Sequence, residues 1–232
     1  MEKSEGGSRN EPAAFREARR EHKSLTAAVE KKALVWMAER LPPWINADHL
    51  TLLGLLSFVL GGFCYWQCRR DPAFLHAVNA CLVLNWLGDS LDGTVARVRQ
   101  KLRPRYGFYV DHMVDALAAL FLLLGLAFSS LVTPAVAVAL LVSYFFLTIN
   151  MGYATHALGV FKISFGAVGG TELRILLALV NLAVLRWPHV TLAGERVLLF
   201  DVVGLAATVA VAVTALRSTA QVAKRLYDLE RL

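Results

Sequence analysis

The amino-acid sequence predicts an all-α, polytopic membrane protein with six transmembrane helices and an N-terminal interfacial amphipathic helix. Three observations predict this. Hydrophobic residues make up 56% of the chain and charged residues only 18%, against about 25% charged in soluble domains. Six apolar stretches approach the roughly 20 residues that a bilayer-spanning helix needs. The 24 Lys and Arg residues fall almost wholly between those stretches.

The elements follow in chain order. Residues 1–23 are polar, charged and glycine-bearing, and are expected to form a disordered cytoplasmic tail. The first forty residues contain no apolar h-region, so no secretory signal is expected. From Leu25, the apolar positions Leu25, Val29, Ala33, Trp36, Met37 and Leu41 recur at helical spacing, with Glu30, Lys31, Glu39 and Arg40 on the other side. This predicts an interfacial amphipathic helix over 24–43, ended by Pro42 and Pro43. A six-helix transmembrane domain over 44–220 follows, with spans near 50–67, 74–92, 110–131, 134–154, 172–187 and 197–216. Residues 221–232 form a C-terminal tail.

The basic residues orient the bundle. Nine Lys or Arg precede the first span, five lie between Arg97 and Arg105, Lys162 and Arg174 belong to the fourth connection, and four follow the last span. The opposite side has only Arg69, Arg70, Arg186 and Arg196. By the positive-inside rule both termini are expected in the cytoplasm. The net charge of +6 is thereby explained by attraction to anionic lipid headgroups, with no need for nucleic acid as a partner. Cys64, Cys68 and Cys81 have neither zinc-ligand nor disulfide spacing and are expected to be buried thiols.

Four carboxylates cluster where the second and third spans meet the cytoplasm. Asp89 and Asp92 are three residues apart and share one helix face; Asp111 and Asp115 are four apart and share a face of the next helix. A short connection makes these helices antiparallel, so the acidic faces can oppose each other. Four like charges beside a low-dielectric region repel, and a divalent cation removes the conflict. Carboxylate oxygens suit hard ions such as Mg2+ or Mn2+. Gly93 and Ala96 clear space beside the acids, Gly107 does so on the facing helix, and Arg97 offers a guanidinium suited to phosphate. A neutral reading, in which nearby Arg99, Lys101, Arg103 and Arg105 merely neutralise loop acids, suits any one Asp better than the full set.

The stretch Asp89-Ser-Leu-Asp92-Gly93-Thr-Val-Ala96-Arg97, followed after nine residues by Gly107-Phe-Tyr-Val-Asp111-His-Met-Val-Asp115, resembles the signature of the CDP-alcohol phosphotransferase family. That signature reads D-x2-D-G-x2-A-R, eight or nine residues, then G-x3-D-x3-D, and all eight specified positions match. The likeness extends to an interfacial helix followed by six spans. It implies transfer of a phosphatidyl or phosphoalcohol group from a CDP-linked donor, such as CDP-diacylglycerol, to an acceptor alcohol, with release of CMP. It also implies that Asp89, Asp92, Asp111 and Asp115 hold Mg2+ or Mn2+ as two ions, with Asp115 as general base. Gly93, Ala96, Arg97 and Gly107 would line the donor site with Asp89. Thr51 matches a donor-facing threonine, although Ala47-Asp48 stands where Pro-Asn often precedes it. A homodimer is implied as well.

Lysine and arginine outside the motif are candidates for the acceptor: Lys162, Arg174 and Arg105. Arg174 lies one turn inside the fifth span, where it could meet an anionic acceptor or a motif carboxylate. The glycine-rich stretch Gly166–Arg174 could cradle phosphate or simply bend before a helix capped by Thr171. His112 suits substrate contact or a local hydrogen bond. His76, Asn79, Asn85 and Asn181 are expected to bond between helices, and Asp201 is expected to be a first-turn helix acid. A metal-ion or proton-coupled transporter is the competing class. It would spread its acids through the membrane depth and break helices at the midplane, whereas these acids lie at one face.

Overall fold

The computed structural model describes residues 27–158 and 169–231. Among them are seven helices: α1 (Ala27–Arg40), α2 (Ala47–Gln67), α3 (Phe74–Val98), α4 (Pro104–Ala127), α5 (Pro134–Leu158), α6 (Gly170–Arg186) and α7 (Leu199–Leu229). The six that follow α1 occupy the six predicted stretches. Four of them, α2, α4, α5 and α7, are long and apolar enough to cross a membrane. Such a chain is an integral membrane protein. The remaining two carry the cost of chemistry or length. α3 includes His76, Asn79, Asn85, Asp89 and Asp92, and α6 has only 17 residues. Expectations that fall on 1–26 and 159–168, Lys162 included, lie outside the described residues.

Local signals set the helix ends. Asn46 caps α2: its side chain accepts from the His49 N–H at 3.1 Å, and His49 Nδ1 accepts from the Asn46 N–H at 3.3 Å, a reciprocal capping box. α3 ends with Gln100 in the left-handed region (φ 54°) and the Lys101 N–H returning to the Ala96 carbonyl at 2.9 Å, a Schellman closure. α4 starts at Pro104, six residues earlier than the predicted span and one turn before Asp111's own turn. Proline suits that first position, because its fixed φ is helical and it has no N–H to leave unpaired. At the other end α7 continues to Leu229, through most of the predicted tail.

Two corrections concern the ends of the bundle. The connection between α6 and α7 is a hairpin, β1 (His189–Leu192) against β2 (Glu195–Leu198). Ala193 and Gly194 turn it with φ of 49° and 90°, the double positive φ of a tight two-residue loop. The second correction is the buried face of α1. Ala33 and Trp36 point outward, while Leu34 and Ala38 are buried against Leu50, Leu91 and Val95. The helix spends its inner stripe on α3 and α2 and leaves Trp36 for the surroundings.

α2 lies along both α3 and α4, α5 lies along α4 and α7, and α6 rests on α3. The larger buried cluster (Tyr65, Leu75, Val78, Leu122, Leu126, Phe200 and neighbours) fills the end away from the α3–α4 turn. Two glycine pairs set the spacing of α2. A Cβ on Gly88 would lie 2.7 Å from the Gly54 nitrogen, and one on Gly125 would lie 2.0 Å from the Gly62 carbonyl oxygen. Backbones meet there with no room for a side chain, a common device of helix pairs in lipid. Polar groups join the helices elsewhere. The Tyr65 hydroxyl donates to Asn181 at 2.8 Å, Asn181 donates to Asn79 at 2.6 Å, and Asn150 donates to Thr219 at 2.8 Å. Asp201, in the first turn of α7, accepts from the N–H and hydroxyl of Thr133 at 2.6 and 2.7 Å. All three cysteines are buried and free.

Candidate active site

The C-terminal half of α3 and the N-terminal half of α4 bring the predicted acids together. One oxygen each from Asp89, Asp111 and Asp115 lies within 4.8 Å of the others. With Asp92, Thr51, Gly54, Asn85, Val114 and Ala118 they line one small cavity. Helical period explains the arrangement. Asn85, Asp89 and Asp92 recur at intervals of four and three along α3, while Asp111, Asp115 and Ala118 do the same along α4. The close Gly54–Gly88 contact sits beside this cavity and draws α2 in, so that Thr51 reaches Asp92.

Each acid of α3 has its own restraint. The Thr51 hydroxyl donates to Asp92 Oδ2 at 2.7 Å, and the Gly93 N–H donates to Asp92 Oδ1. Asp89 Oδ2 accepts from Arg174 Nη2 at 2.6 Å, while Arg174 Nε donates to Asn85 Oδ1 at 2.7 Å. Asn85 in turn donates to the Gly54 carbonyl at 2.9 Å. Of the two partners open to Arg174, the described structure has the motif carboxylate. Arg174 is largely buried near the start of α6, where its charge needs a partner, and Asp89 supplies one. The donor set is three carboxylates at mutual ligating distance, which fits a hard divalent cation.

The other predicted residues are placed as follows. Arg97 is exposed at the end of α3 and donates to Thr94 at 3.3 Å. Gly93 leaves space, since an added Cβ would meet only Arg97 Nη2 at 3.8 Å, and Gly107 faces open space. Ala96 is half-buried and Arg105 exposed. Asp48 accepts from Arg103, which ties the α2 N-terminus to the α4 N-terminus; this hydrogen bond raises the Arg103 guanidinium above its ordinary pKa. His112 Nδ1 lies 2.9 Å from the Phe108 carbonyl and 3.8 Å from Asp111 Oδ2. Thr171 is not the cap of α6. Gly169 holds that place, with Glu172 accepting from its N–H at 2.9 Å. Thr171 instead donates to Glu30 at 2.9 Å, and Trp86 Nε1 donates to the same Glu30 oxygen at 2.9 Å.

Glu30, Trp86 and Asn85 are the site-proximal residues that patterning underused. Trp86 lies one turn from Asp89 and Thr171 one turn from Arg174, but nothing in the sequence pairs either of them with Glu30.

No protein-family model matches the chain. The chain is similar to cholinephosphotransferase 1 of Gallus gallus. They are 27% identical over an alignment of 184 residues that covers 73% of this chain and 54% of the relative. The chain thus spans about half the length of the curated relative it matches.

Proposed function

We propose that the chain is a CDP-alcohol phosphotransferase of phospholipid synthesis, working at the membrane surface with its site and both termini on the cytoplasmic side. The observation that carries this is the convergence of Asp89, Asp111 and Asp115 oxygens within 4.8 Å, beside Asp92, on residues that match a phosphotransferase motif. The relative's name agrees with that reaction class. A transporter is less well supported, because the acids form one cluster at one end of α3 and α4.

Asp89, Asp92, Asp111 and Asp115 would hold Mg2+ or Mn2+, as two ions by the resemblance. The bound cations would neutralise the donor's pyrophosphate and stabilise charge growing on the leaving CMP. Thr51 keeps Asp92 turned toward the site, and Arg174 does the same for Asp89. Gly93 and Ala96 let the donor lie close to α3, with Arg97 at its phosphates. Asp115 takes the proton of the acceptor hydroxyl as that oxygen attacks the β-phosphorus in line. The new P–O bond forms to the acceptor, the bond to the CMP oxygen breaks, and the proton rests on Asp115.

Two donor classes fit this chemistry. One is CDP-diacylglycerol with a water-soluble alcohol acceptor. The other is a CDP-linked amino alcohol with a lipid alcohol, favoured by the relative and by the Asp111-His112 pair. The test is CMP release by purified protein with Mn2+, using each donor class against a panel of neutral, cationic and phosphorylated acceptors. Release that requires both a CDP-linked donor and an acceptor is expected. No release with any pair would overturn the reading.

A further inference from the structure

We infer that Glu30 of α1 is a positioning residue that locks α6 against α3 so that Arg174 stays on Asp89. The inference rests on the metal-binding site proposed above. A single oxygen of Glu30 accepts from Trp86 of α3 and from Thr171 of α6, both at 2.9 Å. Three residues further along each helix, on the same faces, stand Asp89 and Arg174, joined at 2.6 Å. α3 and α6 run antiparallel, since Asn79 meets Ala178 while Asn85 and Asp89 meet Arg174, so the two junctions cross at about the same height on one pair of helices. Slippage of α6 by a single residue is about 1.5 Å of rise, a displacement that both junctions resist together.

Other restraints do not make Glu30 redundant. Below this level α6 is held to α3 by Asn79, which donates to the Ala178 carbonyl at 3.3 Å and accepts from Asn181. Those bonds lie one to two turns beyond Arg174. α6 begins at Gly170, which has no side chain, so Thr171 is the first residue of the helix that can hold a neighbour. α1 itself is fixed by Leu34 and Ala38, which are buried in the cluster containing Leu91 and Val95 of α3. Glu30 transmits that fixed position to Thr171.

The test uses full-length protein in detergent and reads Mn2+ binding by electron paramagnetic resonance without substrates. Glu30→Ala should shift the Mn2+ dissociation constant at least three-fold, in the same direction as Arg174→Ala, and should add almost nothing in the Arg174→Ala background. Glu30→Gln, which keeps an acceptor oxygen, should stay near wild type. A second readout does not depend on metal: with Trp36, Trp44, Trp66 and Trp187 replaced by Phe, Trp86 emission should shift in Glu30→Ala and not in Glu30→Gln. An unshifted emission overturns the Glu30 contact itself. Unchanged Mn2+ affinity in Glu30→Ala, or full additivity with Arg174→Ala, overturns the coupling. If wild type binds no Mn2+, the proposed metal site falls, and the Glu30 lock stands or falls on Trp86.

Discussion

Asp89 and Asp92 share a helix face but have different holders, and this difference is open to measurement. Asp92 depends on a hydroxyl from another helix, Thr51 at 2.7 Å. Thr51→Val keeps the shape and removes that donor. It is expected to raise the Mn2+ needed for half-maximal turnover about ten-fold, the scale of one hydrogen bond to a charged group. Asp89→Ala, Asp92→Ala and Asp111→Ala should each abolish most turnover while the protein still inserts, and excess EDTA should silence the wild type. Asp115→Asn should still bind the CDP-linked donor in a titration yet lose about 10²–10⁴ in kcat, the usual reach of base catalysis. The acids were legible in the sequence because charge is rare in apolar helices and the spacing repeats with the helix. Glu30 was not. It stood on the polar side of an amphipathic segment, and only the tertiary fold assigns its partners.

Helices meet in this bundle mainly where side chains are smallest. Gly125→Ala puts a methyl group into the Gly62 backbone, where a Cβ would sit 2.0 Å from the carbonyl oxygen. α2 and α4 must then separate, and a loss of about 1–3 kcal/mol is expected, seen as a lower Tm in detergent. Gly107→Ala is the control. Nothing lies within 4 Å of its added Cβ, so Tm should hold, and any change in donor KM would report on substrate rather than on packing. The helices themselves were readable from hydropathy alone. Their contact faces were less so: α1 buries Leu34 and Ala38 rather than Ala33 and Trp36, because the neighbouring α3 competes with lipid for an apolar stripe. The hairpin between α6 and α7 was hidden by its brevity. Its four-residue strands are too short for alternation to stand out from a polar connection.

Across the whole molecule, the proposed orientation places the hairpin and the two termini on opposite sides of the bilayer. In protein lacking Cys64, Cys68 and Cys81, Glu195→Cys should react with an impermeant thiol reagent in intact cells, and Arg225→Cys should react only after lysis. The reverse pattern would move the site to the outer face. Arg99 has a different reach. Its guanidinium donates to Leu41 at 2.9 Å, Pro42 at 3.1 Å and Pro43 at 3.3 Å, and also to Ile45, all through backbone carbonyls. Two consecutive prolines strip that segment of its own donors, so one side chain from a distant part of the sequence stands in for them. Arginine and lysine have equal charge, yet a lysine has a single nitrogen and cannot span four acceptors. A substitution that any similarity score would pass as silent is therefore expected to loosen the connection between α1 and α2, and with it the seating of α1 on the helix that carries Asp89 and Asp92.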